Sequence, residues 1–131
     1  MRQEYQRKKT KYILPDAVYF QVIWQIRDYY RLKDMADAIC EESAGMGDGM
    51  PHGSPSPDGV FNKAVRRMEL TKITSVIESE LETIPKEYRQ GVWNNILYRA
   101  SFPHDADRVT YARYKSRFIY QIAVHEGLYK E

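Results

Sequence analysis

The sequence predicts an all-α protein made of two long helices joined by a disordered linker, followed by a C-terminal helix-turn-helix-like pair. Apolar residues recur at helical spacing in several segments, and no segment shows the sustained alternation of apolar and polar residues that is typical of a half-buried strand. Residues 43–59 hold five of the seven glycines and three of the six prolines, a composition that favours a flexible linker. We therefore expect a single helical domain over residues 1–131 that contains this linker.

The composition is that of an ordinary globular chain, but its charge is segregated. The 131 residues are 43% hydrophobic and 29% charged, which argues against wholesale disorder. The formal net charge is only +2, yet residues 1–12 carry five Lys or Arg against one Glu and form a basic arm. Residues 60–72 carry four basic residues against Glu69, whereas residues 15–42 carry three basic against six acidic ones. Such segregation is typical of an electrostatic binding surface.

Cysteine use and hydropathy predict a cytoplasmic protein. Cys40 is the only cysteine, so it has no internal disulfide partner, which fits a reducing compartment. The apolar run that begins at Ala17 follows a basic N-terminus, but Pro15 and Asp16 intervene and no small-residue cleavage site follows, so a secretory signal is not expected. No run of about 18 apolar residues is present to span a membrane.

The first long helix is predicted over residues 15–42. Pro15 falls in its first turn, where the fixed φ of proline suits a helix start. The first half, AVYFQVIWQI, is apolar nearly all round, whereas the second half has a charged side. A helix that is apolar on every side must be covered by more than one neighbour. We therefore expect residues 17–26 to lie where several elements, or two subunits, meet.

The second long helix is predicted over residues 60–84, and its apolar stripe changes direction along the way. The first stripe comprises Phe61, Val65 and Met68, and the second comprises Ile73, Ile77, Leu81 and Ile84. Weaker helix formers cluster from Thr71 to Ser75, between the two stripes. We expect a bend or a change of packing partner at that point.

Residues 85–125 are predicted to form the helix-turn-helix-like unit. Pro85 starts a helix with an apolar inward side, and Pro103 in the segment SFPHDAD excludes a continuous helix. The last helix begins at about Arg108, directly after Asp107, whose side chain suits an N-cap. Its apolar face carries Tyr111, Tyr114, Phe118 and Ile122, and the opposite face carries Thr110, Arg113, Arg117, Tyr120 and Gln121.

The basic face of this last helix is the predicted site of DNA contact. Arg113 and Arg117 are four positions apart with no acidic residue on that face to pair with, so they repel each other unless an anion is bound. A charged face opposite an apolar one is also what any surface helix shows. Thr110 and Gln121 beside the arginines favour binding, because both can hydrogen-bond to phosphates or bases. The residues predicted to bind DNA are Arg108, Thr110, Arg113, Arg117 and Gln121.

The sequence predicts neither an enzyme nor a bound metal or cofactor. The three histidines are not spaced from one another or from Cys40 as zinc ligands are. The chain has no glycine-rich phosphate loop, nucleophile elbow or HExxH motif. Glu78, Glu80 and Glu82 look like a carboxylate cluster, but successive alternate positions on a helix point away from each other. We expect these three glutamates to form a solvated face.

The last helix also has a spacing that is known from a protein family. This spacing is carried by Asp107, Arg108, Thr110, Arg113, Lys115, Arg117 and Ile119. It resembles the C-terminal helix-turn-helix of phage late-gene transcriptional regulators of the RinA and ArpU type, which are related in fold to region 4 of sigma-70. Residues 63–131 also look like phage-related proteins of Firmicutes. The resemblance implies that the last helix enters the DNA major groove, while the helix that normally precedes it is shortened here to SFPHDAD.

We therefore expect a DNA-binding transcription regulator of phage or prophage origin, with double-stranded DNA as its partner and a recognition helix near residues 108–124. The basic arm is expected to reinforce binding. The sequence leaves open a helical assembly or interaction module, such as a small terminase subunit or a protein that docks on RNA polymerase. The apolar segment from Ala17 to Ile26 motivates this alternative, since a homodimer would cover it.

Overall fold

The computed structural model describes residues 5–45 and 57–131, and every regular element in these ranges is an α-helix. This confirms the predicted all-α class. The helices are α1 Asp16–Arg27, α2 Tyr29–Gly45, α3 Pro57–Glu82, α4 Lys86–Tyr98 and α5 Arg108–His125. Within the described part of the chain, none of these helices is long and apolar enough to cross a membrane.

A break at Asp28 separates α1 from α2, so the structure has two helices where the sequence predicts one over residues 15–42. The carbonyl oxygen of Asp28 accepts a hydrogen bond from the backbone nitrogen of Leu32 at 3.0 Å, which begins the first turn of α2. The Asp28 carboxylate accepts hydrogen bonds from the Arg31 guanidinium, and these hold the pKa of the carboxyl below its ordinary value. Aspartate favours such helix starts because its side chain competes with the helical backbone for hydrogen bonds.

Helix extends into both ends of the predicted linker at residues 43–59. α2 continues to Gly45 and α3 begins at Pro57, so residues 43–45 and 57–59 are helical. Proline is favoured in the first turn, because the N–H that it lacks would have no partner there. Glycine is common where helices end. The middle of the predicted linker, residues 46–56, lies outside the described residues.

The chain divides into two compact units, of which the first contains residues 1–27 and 76–131. In this unit α1, α4 and α5 pack against one another. Its largest fully buried side chains are Val22, Ile23, Ile26, Ile77, Ile84, Val92, Ile96, Tyr111, Phe118, Ile119 and Ile122. The packing of α1 against both α4 and α5 confirms that residues 17–26 lie where several elements meet. Trp24, in the same segment, is nevertheless 62% exposed.

Residues 5–15 fold back onto the first unit and do not extend as a free basic arm. The Gln6 amide makes two hydrogen bonds with Leu14, donating from Nε2 to the carbonyl oxygen at 2.8 Å and accepting at Oε1 from the backbone nitrogen at 2.7 Å. Gln6 and Leu14 are both buried. Lys8 forms an ion pair with the exposed Asp16. The described part of the arm predicted over residues 1–12 therefore belongs to a loop that the hydrogen bonds between Gln6 and Leu14 close.

The second unit contains residues 28–75 and has a small core in its described part. The buried residues Leu32, Ala36 and Leu70 form this core, and the partly buried Met35, Ile39 and Ile73 pack against it. α3 belongs to the second unit as far as Ser75 and to the first from Val76 onward. This boundary confirms the change of packing partner predicted at Thr71–Ser75, and α3 remains a single helix through it.

Candidate nucleic-acid interface

Asp107 caps the N-terminus of α5, as the sequence predicts. Its Oδ1 accepts a hydrogen bond from the backbone nitrogen of Val109 at 3.0 Å, and its carbonyl oxygen accepts one from the backbone nitrogen of Thr110 at 3.0 Å. An aspartate in this position satisfies backbone donors that would have no partner in the first turn. The cap fixes the residue at which α5 begins and places Arg108 and Thr110 in its first turn.

The segment SFPHDAD, residues 101–107, is held against α5 by one aromatic side chain. The Phe102 ring stacks on the Tyr111 ring with the centroids 5.3 Å apart and the planes 12° from parallel. The Tyr111 hydroxyl donates a hydrogen bond to Asp105 at 2.6 Å. At the other end, Asn95 Nδ2 donates to the carbonyl oxygen of Ala100 at 2.7 Å, which ties the start of the connection to α4. The short connection is therefore fixed to both helices.

A row of aromatic rings joins α4 directly to α5. Tyr88 meets Tyr111 edge-on and stacks on Tyr114, and the centroids are 5.3 Å apart in both pairs. The Arg117 guanidinium lies over the Tyr114 ring at 5.4 Å from its centroid. Aromatic pairs of this geometry stabilise packing beyond the burial of their area. α4 thus braces the part of α5 that carries the predicted contact residues.

The Tyr111 hydrogen bond predicts a stability loss at alkaline pH. The bond to Asp105, together with burial, raises the pKa of the phenol from 10.0 to about 12. Because this folded-state pKa lies above the unfolded one, the stabilisation is complete below pH 10 and is lost as the pH rises toward 12. We expect the stability of Tyr111→Phe to fall less steeply with pH over this range. The midpoint of urea unfolding at a series of pH values measures this. Tyr98→Phe, at an exposed position, is the control, and equal slopes in all three proteins would contradict the assignment.

The structure brings four of the five predicted contact residues together. Thr110, Arg113, Arg117 and Gln121 follow one another at helical spacing along one side of α5. Arg113 is exposed, Thr110 and Gln121 are half-buried, and their side chains have no hydrogen bond or ion pair to any residue in the described ranges. Arg108 is also exposed and unpaired there, but it lies on a different side of α5, where it lines a cavity with Ala112 and Lys115.

Arg117 is engaged within the fold. Its Nη2 donates to the carbonyl oxygen of Thr83 at 2.9 Å, just beyond the C-terminus of α3. Arg89 Nη2 donates to the neighbouring carbonyl oxygens of Glu82 and Ile84 at 3.2 and 3.0 Å. The last carbonyl groups of a helix have no partner inside it, and a cation there meets the negative end of the helix dipole. Arg117 and Arg89 therefore cap α3, a role that the sequence did not predict for either residue.

Tyr120 is buried, although helical periodicity places it on the basic face. Its ring centroid lies 5.5 Å from that of Tyr12 and 5.6 Å from that of Tyr129. Both partners lie outside the helices, before α1 and after α5. Periodicity within α5 carries no information about segments that fold over it, which is why the sequence places this residue wrongly.

Glu80 and His125 form a close side-chain contact that the sequence did not predict, and this contact is an ion pair when the imidazole is protonated. The pair joins Glu80 Oε1 to His125 Nδ1, and the glutamate side chain is only 8% exposed while the histidine side chain is 53% exposed. The expectation that Glu80 lies on a solvated face is therefore wrong. A signal was present, because Glu80 is three positions after Ile77 and four before Ile84, so all three share one face of the helix that the sequence predicts over residues 60–84. Ile77 and Ile84 are both fully buried.

The described residues hold no group of three or more His, Cys, Asp or Glu side chains arranged to bind a metal ion. His104 is exposed in the connection between α4 and α5. The side chain of Cys40 and the whole of His52 lie outside what the structure describes.

Comparisons with protein-family models, with curated proteins and with solved structures found no match for this chain.

Proposed function

We propose that this chain is a double-stranded DNA-binding protein that reads the major groove with α5. The observation that carries the proposal is the surface formed by Thr110, Arg113 and Gln121, which is accessible and unpaired in the described residues. More particularly, we propose a transcription regulator of phage or prophage origin. The spacing from Asp107 to Ile119, which resembles that of the RinA and ArpU regulators, supports this assignment.

The way in which α5 packs against the rest of the first unit supports its insertion into the major groove of DNA. A recognition helix must present one side to the bases while the opposite side stays fixed to the protein. Tyr111, Phe118 and Ile122 are buried on the inner side of α5, and Tyr88 of α4 contacts its first turns. The guanidinium of Arg113 gains most from a phosphate or a guanine edge, because no carboxylate in the described ranges pairs with it. Thr110 and Gln121 add neutral hydrogen-bonding groups on either side along the helix.

Arg113→Gln is expected to weaken duplex binding and leave folding unchanged. If Arg113 contacts a phosphate, the slope of log affinity against log salt falls by about one, and if it contacts a base, the loss is about 1 to 3 kcal/mol. Fluorescence anisotropy with a mixed-sequence duplex over a range of salt concentrations measures both. Arg117 is left intact, because loss of its bond to Thr83 would destabilise the fold and confuse the result.

Lys86→Gln is the matched control for this experiment. It removes one exposed positive charge from α4 in the same unit, and Lys86 has no hydrogen bond or ion pair in the described ranges. Duplex affinity that does not depend on salt, or that falls equally in the Lys86 and Arg113 variants, would argue against reading by α5.

A second candidate function is self-assembly through the second unit. Phe61 and Met68 are 68% and 70% exposed, and the half-buried Val65 lies between them on the same side of α3. An exposed apolar stripe of this kind is typical of a protein contact surface. Light scattering tests it: a dimer that Phe61→Ser dissociates supports assembly, and a monomer at all concentrations contradicts it.

A further inference from the structure

Three adjoining cavities lie in the first unit, two of them beside the connection between α4 and α5 and the third between Arg99 and α1. Their volumes are about 390, 380 and 430 Å³. The first two share Asn95, Phe102 and Arg108, while the third shares Tyr5 with the first and Arg99 with the second. Because each cavity has lining residues in common with the others, the three adjoin one another along one surface of the first unit. We call this surface the α4–α5 groove.

The α4–α5 groove is strongly positive. Its cations are Arg7, Lys8, Arg27, Arg99, Arg108 and Lys115. The lining contains a single carboxylate, Asp16, which already forms an ion pair with Lys8. Arg7 and Arg108 have no hydrogen bond or ion pair in the described ranges, and a concave surface lined mainly by cations attracts a polyanion.

Aromatic side chains lie between these cations. Phe102 lines the first and second cavities, and Phe20 and Trp24 line the third. Trp24 is 62% exposed, and the Arg27 guanidinium lies 5.2 Å from its ring centroid. Large indole rings are seldom left this exposed without a partner, and an indole beside an arginine is a suitable platform for a planar group. The groove thus offers both charge for phosphates and rings for unpaired bases.

We propose that the α4–α5 groove binds single-stranded nucleic acid, with backbone phosphates at Arg7 and Arg108 and an unpaired base stacked on Trp24. Cations that follow the backbone, together with aromatic rings that stack on successive bases, are the combination by which proteins hold single strands. A duplex cannot use these rings, because its bases are already stacked on one another. The site goes beyond the duplex-binding function proposed above and does not rest on it, since Thr110 and Arg113 do not line the groove.

Tryptophan fluorescence gives a direct readout of base stacking. The chain has two tryptophans, of which Trp93 is 7% exposed and Trp24 is 62% exposed. Titration of the full chain with an oligothymidine of about ten nucleotides at low salt is expected to quench Trp24 saturably. The same titration with an oligouridine distinguishes the source of the strand: tighter oligothymidine binding assigns DNA, and tighter oligouridine binding assigns RNA.

Two groove variants and one control locate the site. Trp24→Ala and Arg7→Gln are each expected to weaken binding of a labelled oligothymidine about tenfold. Trp24→Ala, which removes no charge, is expected to change duplex affinity by less than about twofold. Arg113→Gln, outside the groove, is expected to leave oligothymidine binding unchanged. Circular dichroism verifies folding, and Arg7→Gln keeps the test decisive if Trp24→Ala unfolds.

Absence of saturable quenching at low salt would overturn the groove assignment. So would equal losses of oligothymidine affinity in Arg7→Gln and Arg113→Gln, because the binding would then follow net charge and not the groove. If the chain binds the oligothymidine but does not bind a duplex, the proposed recognition of duplex DNA by α5 is wrong and the groove assignment stands.

Discussion

Gly91→Ala is expected to destabilise the first unit by about 1 to 3 kcal/mol, although alanine is the better helix former. Gly91 lies inside α4, where helix propensity alone predicts a gain of about 1 kcal/mol. Packing reverses the sign of the expected change in stability. A Cβ atom on Gly91 would lie 2.6 Å from Cε1 of Tyr111 and 2.8 Å from Cδ of Pro103. Favourable contacts between carbon atoms need about 3.5 to 4.0 Å.

The neighbours of Gly91 cannot move aside at low cost. Tyr111 is fully buried, its hydroxyl is bonded to Asp105, and its ring is stacked on Phe102. Pro103 is a rigid ring within the same connection. Relief of the overlap therefore requires α4 and α5 to separate where the connection joins them. We expect this variant to lose duplex affinity as well, because the separation removes the brace from α5.

Urea unfolding followed by circular dichroism measures the effect, and Gln90→Ala is its control. Gln90 is the preceding residue of α4, is exposed, and makes only an exposed hydrogen bond to Asn94 at 2.8 Å. Its replacement is expected to change the free energy of unfolding by no more than about 0.5 kcal/mol. A Gly91→Ala protein as stable as the Gln90 variant would contradict the close approach of the two helices.

Local signals explain which parts of the fold the sequence predicted. The N-cap at Asp107, the apolar faces of α4 and α5 and the change of partner near Ser75 all depend on residues close together in the chain. The break at Asp28 was not predicted, because an aspartate is common on the charged side of a helix as well as at a helix start. Composition also predicted too long a linker, since Gly45 and Pro57 are helical.

Long-range contacts explain which parts of the candidate site the sequence did not predict. Arg117 lies on the predicted face, but its partner is the carbonyl oxygen of Thr83, 34 positions away. The α4–α5 groove combines Arg7, Trp24 and Phe102 from three separate segments, and no spacing in the sequence relates them. Thr110 and Gln121 lie on the same side of α5 as Arg113, because periodicity within one helix determines the direction of a side chain.

His125→Ala is the second substitution with a large expected effect, and it is expected to destabilise the first unit by about 2 kcal/mol. It removes the partner of the Glu80 carboxylate, whose side chain is only 8% exposed and therefore gains little from water. The histidine side chain is 53% exposed, so its removal admits some solvent to the carboxylate. The loss should therefore stay below the roughly 3 to 5 kcal/mol that follows when a fully buried pair is broken.

Glu80→Gln separates the charge of this pair from its packing. The substitution keeps the shape of the side chain, and a neutral amide costs less to bury without a partner than a carboxylate does. In a protein that already carries His125→Ala, Glu80→Gln should consequently restore part of the lost stability. Urea unfolding of the unsubstituted protein, both single variants and the double variant gives the coupling energy, which we expect to be about 1 kcal/mol or more. If Glu80 is left without a partner in His125→Ala, replacing its charged carboxylate by an amide must change the stability of that variant differently from that of the unsubstituted protein. Strictly additive losses would therefore contradict the pair and assign the effect of His125→Ala to the packing of the imidazole ring.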